Sequence, residues 1–227
     1  MTIISIEGAS AAGKTTTSAA LAAQTGGFHI PEVAMWWEKP QREYPEWFFE
    51  RQADRWKIAT EKEGDGLAVI DIDLFQPFWY NWSFGFTLFD GQSLDFVADF
   101  YRPLIEQRKL GFPDRYFILH TVEEQLRQRK AGDVTRMRRG FEMNLTFIEP
   151  QKRYFEALNA FMPGLVTFVR SDRIEENVRI IESELPGMQT NHRYSLELFD
   201  YMVEWLKRHP VTQFLQEEEK TRDGAEK

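Results

Sequence analysis

Eight consecutive residues, Gly8-Ala9-Ser10-Ala11-Ala12-Gly13-Lys14-Thr15, constrain this 227-residue chain more than any other stretch. They fit the pattern G-x-x-x-x-G-K-[ST], follow a short apolar run at 3–6, and open an Ala-rich stretch at 15–24 that contains no helix breaker. Strand, glycine loop and helix in that order are what anion binding needs. The glycines let the backbone wrap a phosphate, and successive N–H groups and the helix N-terminus then face its negative charge. Lys14 is expected to reach the outer phosphates and Thr15 to ligate Mg²⁺, with ATP held along residues 8–16, Thr16 included.

The rest of the chain reads as a fold that can carry such a loop. Apolar runs at 3–6, 28–30, 67–72, 116–120 and 165–169 read as buried strands. Helical stretches at 46–63, 94–110 and 121–130 fall between them, and Leu196, Phe199, Val203 and Leu206 recur at helical spacing later. Alternating strands and helices predict a three-layer α/β fold of the P-loop NTPase kind. It would have a parallel sheet of about five strands, with ligands at the strands' carboxyl ends. One domain over 1–215 is expected, with a charged, disordered tail at 216–227.

Composition narrows the function classes. Aromatic residues make up 15% of the chain, enough for a large core, so disorder of the whole is excluded. A net charge of -8 has the wrong sign for generic nucleic-acid binding, so any phosphate must be held locally. The absence of Cys excludes thiolate chemistry, and no apolar run approaches membrane-spanning length. The N-terminus lacks the basic region of a signal peptide, and a cytoplasmic location is the default expectation. The expected partner is a small-molecule acceptor, with neither nucleic acid nor membrane, and a homodimer is left open.

The loop is joined by three segments that together resemble the P-loop deoxynucleoside and nucleoside monophosphate kinase group, thymidylate-kinase-like relatives included. Ile30-Pro31-Glu32-Val33, followed by Trp36, is similar to the Glu-Pro-Val segment after the second strand of deoxynucleoside kinases. The resemblance implies that Glu32 takes the proton of the attacking hydroxyl and that Trp36 lies in the acceptor site. Residues 68–73 are similar to the acidic-Arg motif that ends the third strand, which implies a metal-side or substrate-side carboxylate at Asp71. Ile72 departs from the pattern where an Arg is usual. Residues 127–142 resemble the kinase lid, which implies that Arg129, Arg136 and Arg138 close over the transferring phosphoryl group. Six basic residues fall within 127–139, a concentration suited to stabilising the charge of phosphoryl transfer, although a solvated helix face has the same composition.

Further candidates follow from spacing. Asp71 and Asp73, two apart on an expected strand, would present both carboxylates to one face, where Mg²⁺ held by Thr15 would sit; a polar strand terminus is the alternative. Gln52 and Arg55 share a helix face, where the same kinases place a base-reading Gln, though a solvent-facing pair has the same spacing. Trp36, Trp37, Trp79, Tyr80, Trp82, Phe84 and Phe86 are candidate walls for a flat acceptor such as a nucleobase, against the ordinary role of aromatics as core. The expected substrate-binding set is Glu32, Trp36, Gln52, Arg55, Asp73 and Trp82. The expected activity is ATP-dependent phosphoryl transfer to a small hydroxyl compound, a nucleoside or deoxynucleoside first. A nucleoside monophosphate or a non-nucleoside such as an antibiotic comes second. A nucleotide-binding switch with slow hydrolysis is the rival of a different class.

Overall fold

The computed structural model describes residues 2–42, 44–133, 140–188 and 191–211. Five parallel strands, β1 (Thr2–Gly8), β2 (Phe28–Ile30), β3 (Leu67–Asp71), β4 (Arg115–His120) and β5 (Val166–Arg170), form one sheet in the order β2-β3-β1-β4-β5. β1 is central: Ile6 stands opposite Asp71 of β3 on one side and Phe117 of β4 on the other. Both faces of the sheet are covered, so the strands are nearly continuous apolar runs.

The alternation of β1 sorts its side chains between two cores. Ile4 and Ile6 pack with Leu21 and Ala22 of α1 (Lys14–Thr25) and with Val178 and Ile181 of α9 (Ile174–Glu184). Ile3 faces the larger core, built by α3 (Trp47–Lys62), α4 (Gln76–Ser83), α5 (Leu94–Glu106), α8 (Ile148–Phe161) and α10 (Leu196–Arg208). Aromatic rings dominate that second layer, as in the offset stack of Phe75 on Phe112 at 4.2 Å. The remaining helices are α2 (Val33–Trp36), α6 (Glu123–Gly132) and α7 (Phe141–Leu145).

The three-layer architecture and the five-stranded parallel sheet match the sequence expectation. Arg136 and Arg138, the two central lid residues of that expectation, lie outside the described residues, as does the tail at 216–227. Among the described residues no helix is long and apolar enough to cross a membrane.

Candidate active site

The glycine loop runs from the end of β1 into α1 at the sheet's carboxyl edge. Gly8 (φ +146°) lies so close to β4 that a Cβ there would stand 2.2 Å from the Leu119 carbonyl oxygen. Gly13, at φ 97°, caps α1 from the left-handed region, which a side chain would strain. Lys14 Nζ donates to the carbonyls of Gly8 (2.7 Å) and Ala9 (3.0 Å), which folds the side chain back over the loop.

The loop borders a cavity of about 820 Å³. Gly8, Ser10, Ala11, Gly13, Lys14, Thr15 and Thr16 line one side of it. Glu32, Ile72, Gln76, Trp79, Tyr80 and Phe147 line the other. The structure therefore brings the lysine of the loop and the glutamate after β2 to one space, framed by an aromatic wall.

A buried carboxylate that the sequence reading missed ties the two sides together. Glu7 is 2% exposed; it accepts from the Gly8 N–H at 2.7 Å and from the Asp73 N–H at 3.0 Å. Burial pushes its pKa up, while Lys14 and the two N–H groups oppose the rise. Its signal was present: an acid closing a buried strand immediately before a glycine loop is expensive unless it is hydrogen-bonded.

Asp71 and Asp73 do not share a face, contrary to the strand-alternation expectation. Ile72 takes φ 74°, so β3 stops at Asp71 and the chain turns. Asp73 accepts from the Phe75 N–H (3.0 Å) and from Trp79 Nε1 (3.2 Å), holding the indole that walls the cavity. Asp71 is fully buried, its Oδ2 3.7 Å from His29 Nε2. Neither aspartate lines the space that Thr15 lines. Burial raises the pKa of Asp73 to about 7, with nearby Glu7 adding to the rise.

Gln52 and Arg55 are fully buried, not solvent-facing. Arg55 donates to Gln52 Oε1 at 2.6 Å, to the Ile72 carbonyl at 3.0 Å and to the Asp71 carbonyl. It therefore clamps the backbone at the turn where the third-strand Arg is missing. Burial lowers its pKa to about 10, and it stays charged at neutral pH beside Asp71, Asp73 and Glu32. Trp36 is 40% exposed and packs on Phe28 and Trp37; Ala34 and Met35 of the same segment border the cavity instead. Trp82 is core, not wall: it is buried, donates to the His209 carbonyl at 2.8 Å and packs on Trp205.

On the other flank, Arg129 of α6 reaches the loop. It donates to the Ala12 carbonyl (3.3 Å), to the Asp172 carbonyl (3.2 Å) and to the Ser171 carbonyl. The Ser171 hydroxyl donates to the same Ala12 oxygen at 2.6 Å, so α6, the phosphate loop and the β5–α9 turn meet at one atom. Arg127 bridges Glu123 and Glu142, joining α6 to α7.

The oxygen donors on the cavity wall suit a hard cation such as Mg²⁺, which keeps several waters and takes few protein ligands. Thr15, which lines the cavity beside the loop, would hold it together with nucleotide phosphate oxygens.

Comparison with protein-family models gives no match, and comparison with curated protein sequences gives none either. Solved structures do match. M. mycoides deoxyadenosine kinase with bound dATP superposes with TM-score 0.52 and 17% identity, over 82% of this chain and 99% of that one. The same enzyme with bound dCTP gives TM-score 0.52 and 18% identity over 81% and 98%. Thymidylate kinase from Candida albicans gives TM-score 0.50 and 14% identity over 80% and 89%. The chain has the deoxynucleoside and nucleoside monophosphate kinase-like fold.

Proposed function

We propose that this protein is an ATP-dependent kinase that phosphorylates a hydroxyl group of a nucleoside or deoxynucleoside. The observation that carries this reading is the shared cavity, with Lys14 and Thr15 on one wall and Glu32, Gln76, Trp79 and Tyr80 on the other. A slow hydrolytic switch has no need of an acceptor wall with an acid in it.

In this reading the loop N–H groups and Lys14 hold the β- and γ-phosphates, and the Thr15 hydroxyl holds Mg²⁺, which when bound neutralises developing phosphate charge. The acceptor's base lies against Trp79 and Tyr80. Glu32 takes the proton as the acceptor oxygen bonds to the γ-phosphorus. The bond from that phosphorus to the β–γ bridging oxygen breaks, and the electron pair leaves with ADP. Arg129 supplies positive charge from α6, and the same charge role is assigned to Arg136 and Arg138, which lie outside the described residues, on the resemblance to the kinase group alone. Asp73 acts at one remove, through the Trp79 indole, and Arg55 through the backbone of residues 71 and 72.

The test is ADP release from ATP and Mg²⁺ over a panel of nucleosides, nucleoside monophosphates and hydroxylated antibiotics. Turnover should rise at least tenfold with a nucleoside present. Hydrolysis indifferent to every acceptor would reject the kinase reading, and stimulation by monophosphates alone would move the acceptor one phosphate along.

A further inference from the structure

A second cavity, of about 450 Å³, lies where the carboxyl ends of β4 and β5 meet one face of α8. It has no lining residue in common with the first cavity. Its walls are largely apolar, with Ile118 and Leu119 from β4, Phe168 from β5 and Ile148 from α8. Gln151 also lines it, one helical turn beyond Ile148. The Gln151 side chain is 3% exposed, and its Nε2 is buried with no hydrogen-bond partner. An unsatisfied buried amide donor costs roughly 1–3 kcal/mol, so a ligand atom that accepts from it would recover that loss.

The charge balance fixes the kind of ligand. Lys152 pairs with Glu156, which also lines the cavity, at 3.8 Å, while Glu149, outside the lining, is shared between Lys152 (3.9 Å) and Arg153 (3.7 Å). His120 packs edge-on to the Phe168 ring at 6.5 Å. Its pKa is lowered by burial and then by Lys152 and Arg170, so it is neutral at pH 7. Two ring side chains, aliphatic walls, a buried amide donor without a partner and a lining Lys152–Glu156 pair of zero net charge are the features of a site for a flat neutral molecule.

We propose that this cavity binds an uncharged planar heteroaromatic compound of nucleobase size, whose ring or carbonyl acceptor takes a hydrogen bond from Gln151 Nε2. The site is separate from the phosphate-loop cavity and its existence does not depend on the kinase reading. It touches the loop only through Ala9.

The test uses the full chain with adenine, thymine and nicotinamide as acceptor-bearing probes and indole as an acceptor-free planar control. Binding is followed by saturation-transfer NMR and calorimetry. At least one acceptor-bearing probe should bind in the millimolar range or tighter and persist at saturating ATP and Mg²⁺. Gln151→Leu, which removes an unsatisfied polar group at similar volume, should fold at least as stably and weaken that probe tenfold or more while leaving indole unchanged. Ile148→Trp, which fills the cavity, should abolish both. The proposal is overturned by absence of binding up to about 5 mM for all three probes, an affinity near the weak limit of specific recognition. Displacement by ATP, or equal affinity in Gln151→Leu, overturns it as well. Should Ile148→Trp fail to fold, the Gln151→Leu comparison decides alone.

Discussion

Glu32 and Asp73 are both acids near the glycine loop, and their surroundings separate their roles. Glu32 lines the cavity, so Glu32→Gln should lower kcat by roughly 10²- to 10⁴-fold with little change in melting temperature, as loss of a general base does. A near-wild-type rate in the folded variant would remove the base assignment. Asp73 is buried, with a pKa raised from 3.8 to about 7. Between those values the folded chain keeps a proton that the unfolded chain has released, so stability falls as pH rises through that window. Asp73→Asn cannot ionise and should therefore be stabilised relative to the native chain as pH goes from about 4 to 8, by at most ~4 kcal/mol. Denaturant titrations at pH 4 and pH 8 read the difference directly. At this scale the sequence was informative where chemistry is local: the spacing of Lys14 and Thr15 and the position of Glu32 all lead to one space. It was uninformative for Asp73 and Trp82, because one positive φ at Ile72 redirects the first and tertiary packing buries the second.

Among the elements, α6 is tied to the loop by Arg129 alone of its described basic side chains, through carbonyls of Ala12, Ser171 and Asp172. These contacts hold the rim and the same guanidinium is proposed to supply charge to the transferring group, so Arg129→Met should lower kcat and raise the KM for ATP, each about tenfold or more, and leave the acceptor's KM nearly unchanged, a split that steady-state kinetics measures. Equal effects on both substrates would mean that the residue supports the fold only. The strands were readable almost to the residue because each is a short apolar run between polar segments, and α3 and α10 were readable from amphipathic spacing. α4, α8 and α9 were not. α4 is packed with aromatic residues, which favour strands as readily as helices, and α8 carries Pro150 in its first turn. That proline was itself a usable start signal, since a first-turn proline lacks only an N–H that has no partner there.

The molecule as a whole is anchored at the edge opposite the loop. Arg193 pairs with Glu63 at the end of α3 (2.7 Å) and with Asp114 just before β4 (2.6 Å), while Asp114 also accepts from the Ile3 N–H of β1. Arg193→Leu leaves two shielded carboxylates facing each other without a cation and should destabilise the fold by about 3–5 kcal/mol without altering nucleotide KM in the folded fraction. Urea unfolding beside ATP kinetics checks both halves, and an unchanged midpoint would sink the claim.

The sheet order has a further consequence, for the birth of the molecule on the ribosome. β1 is synthesised first, yet its partners are residues 67–71 and 115–119, so the centre of the sheet cannot form until half the chain exists. Until residue 71 is made Ile3, Ile4 and Ile6 have no strand beside them, and until residue 119 they have one only; pairings of such long sequence separation close slowly. The nascent chain thus carries an apolar strand with an open edge while the residues up to 119 are made, and its yield in cells should respond to chaperone capacity and translation speed.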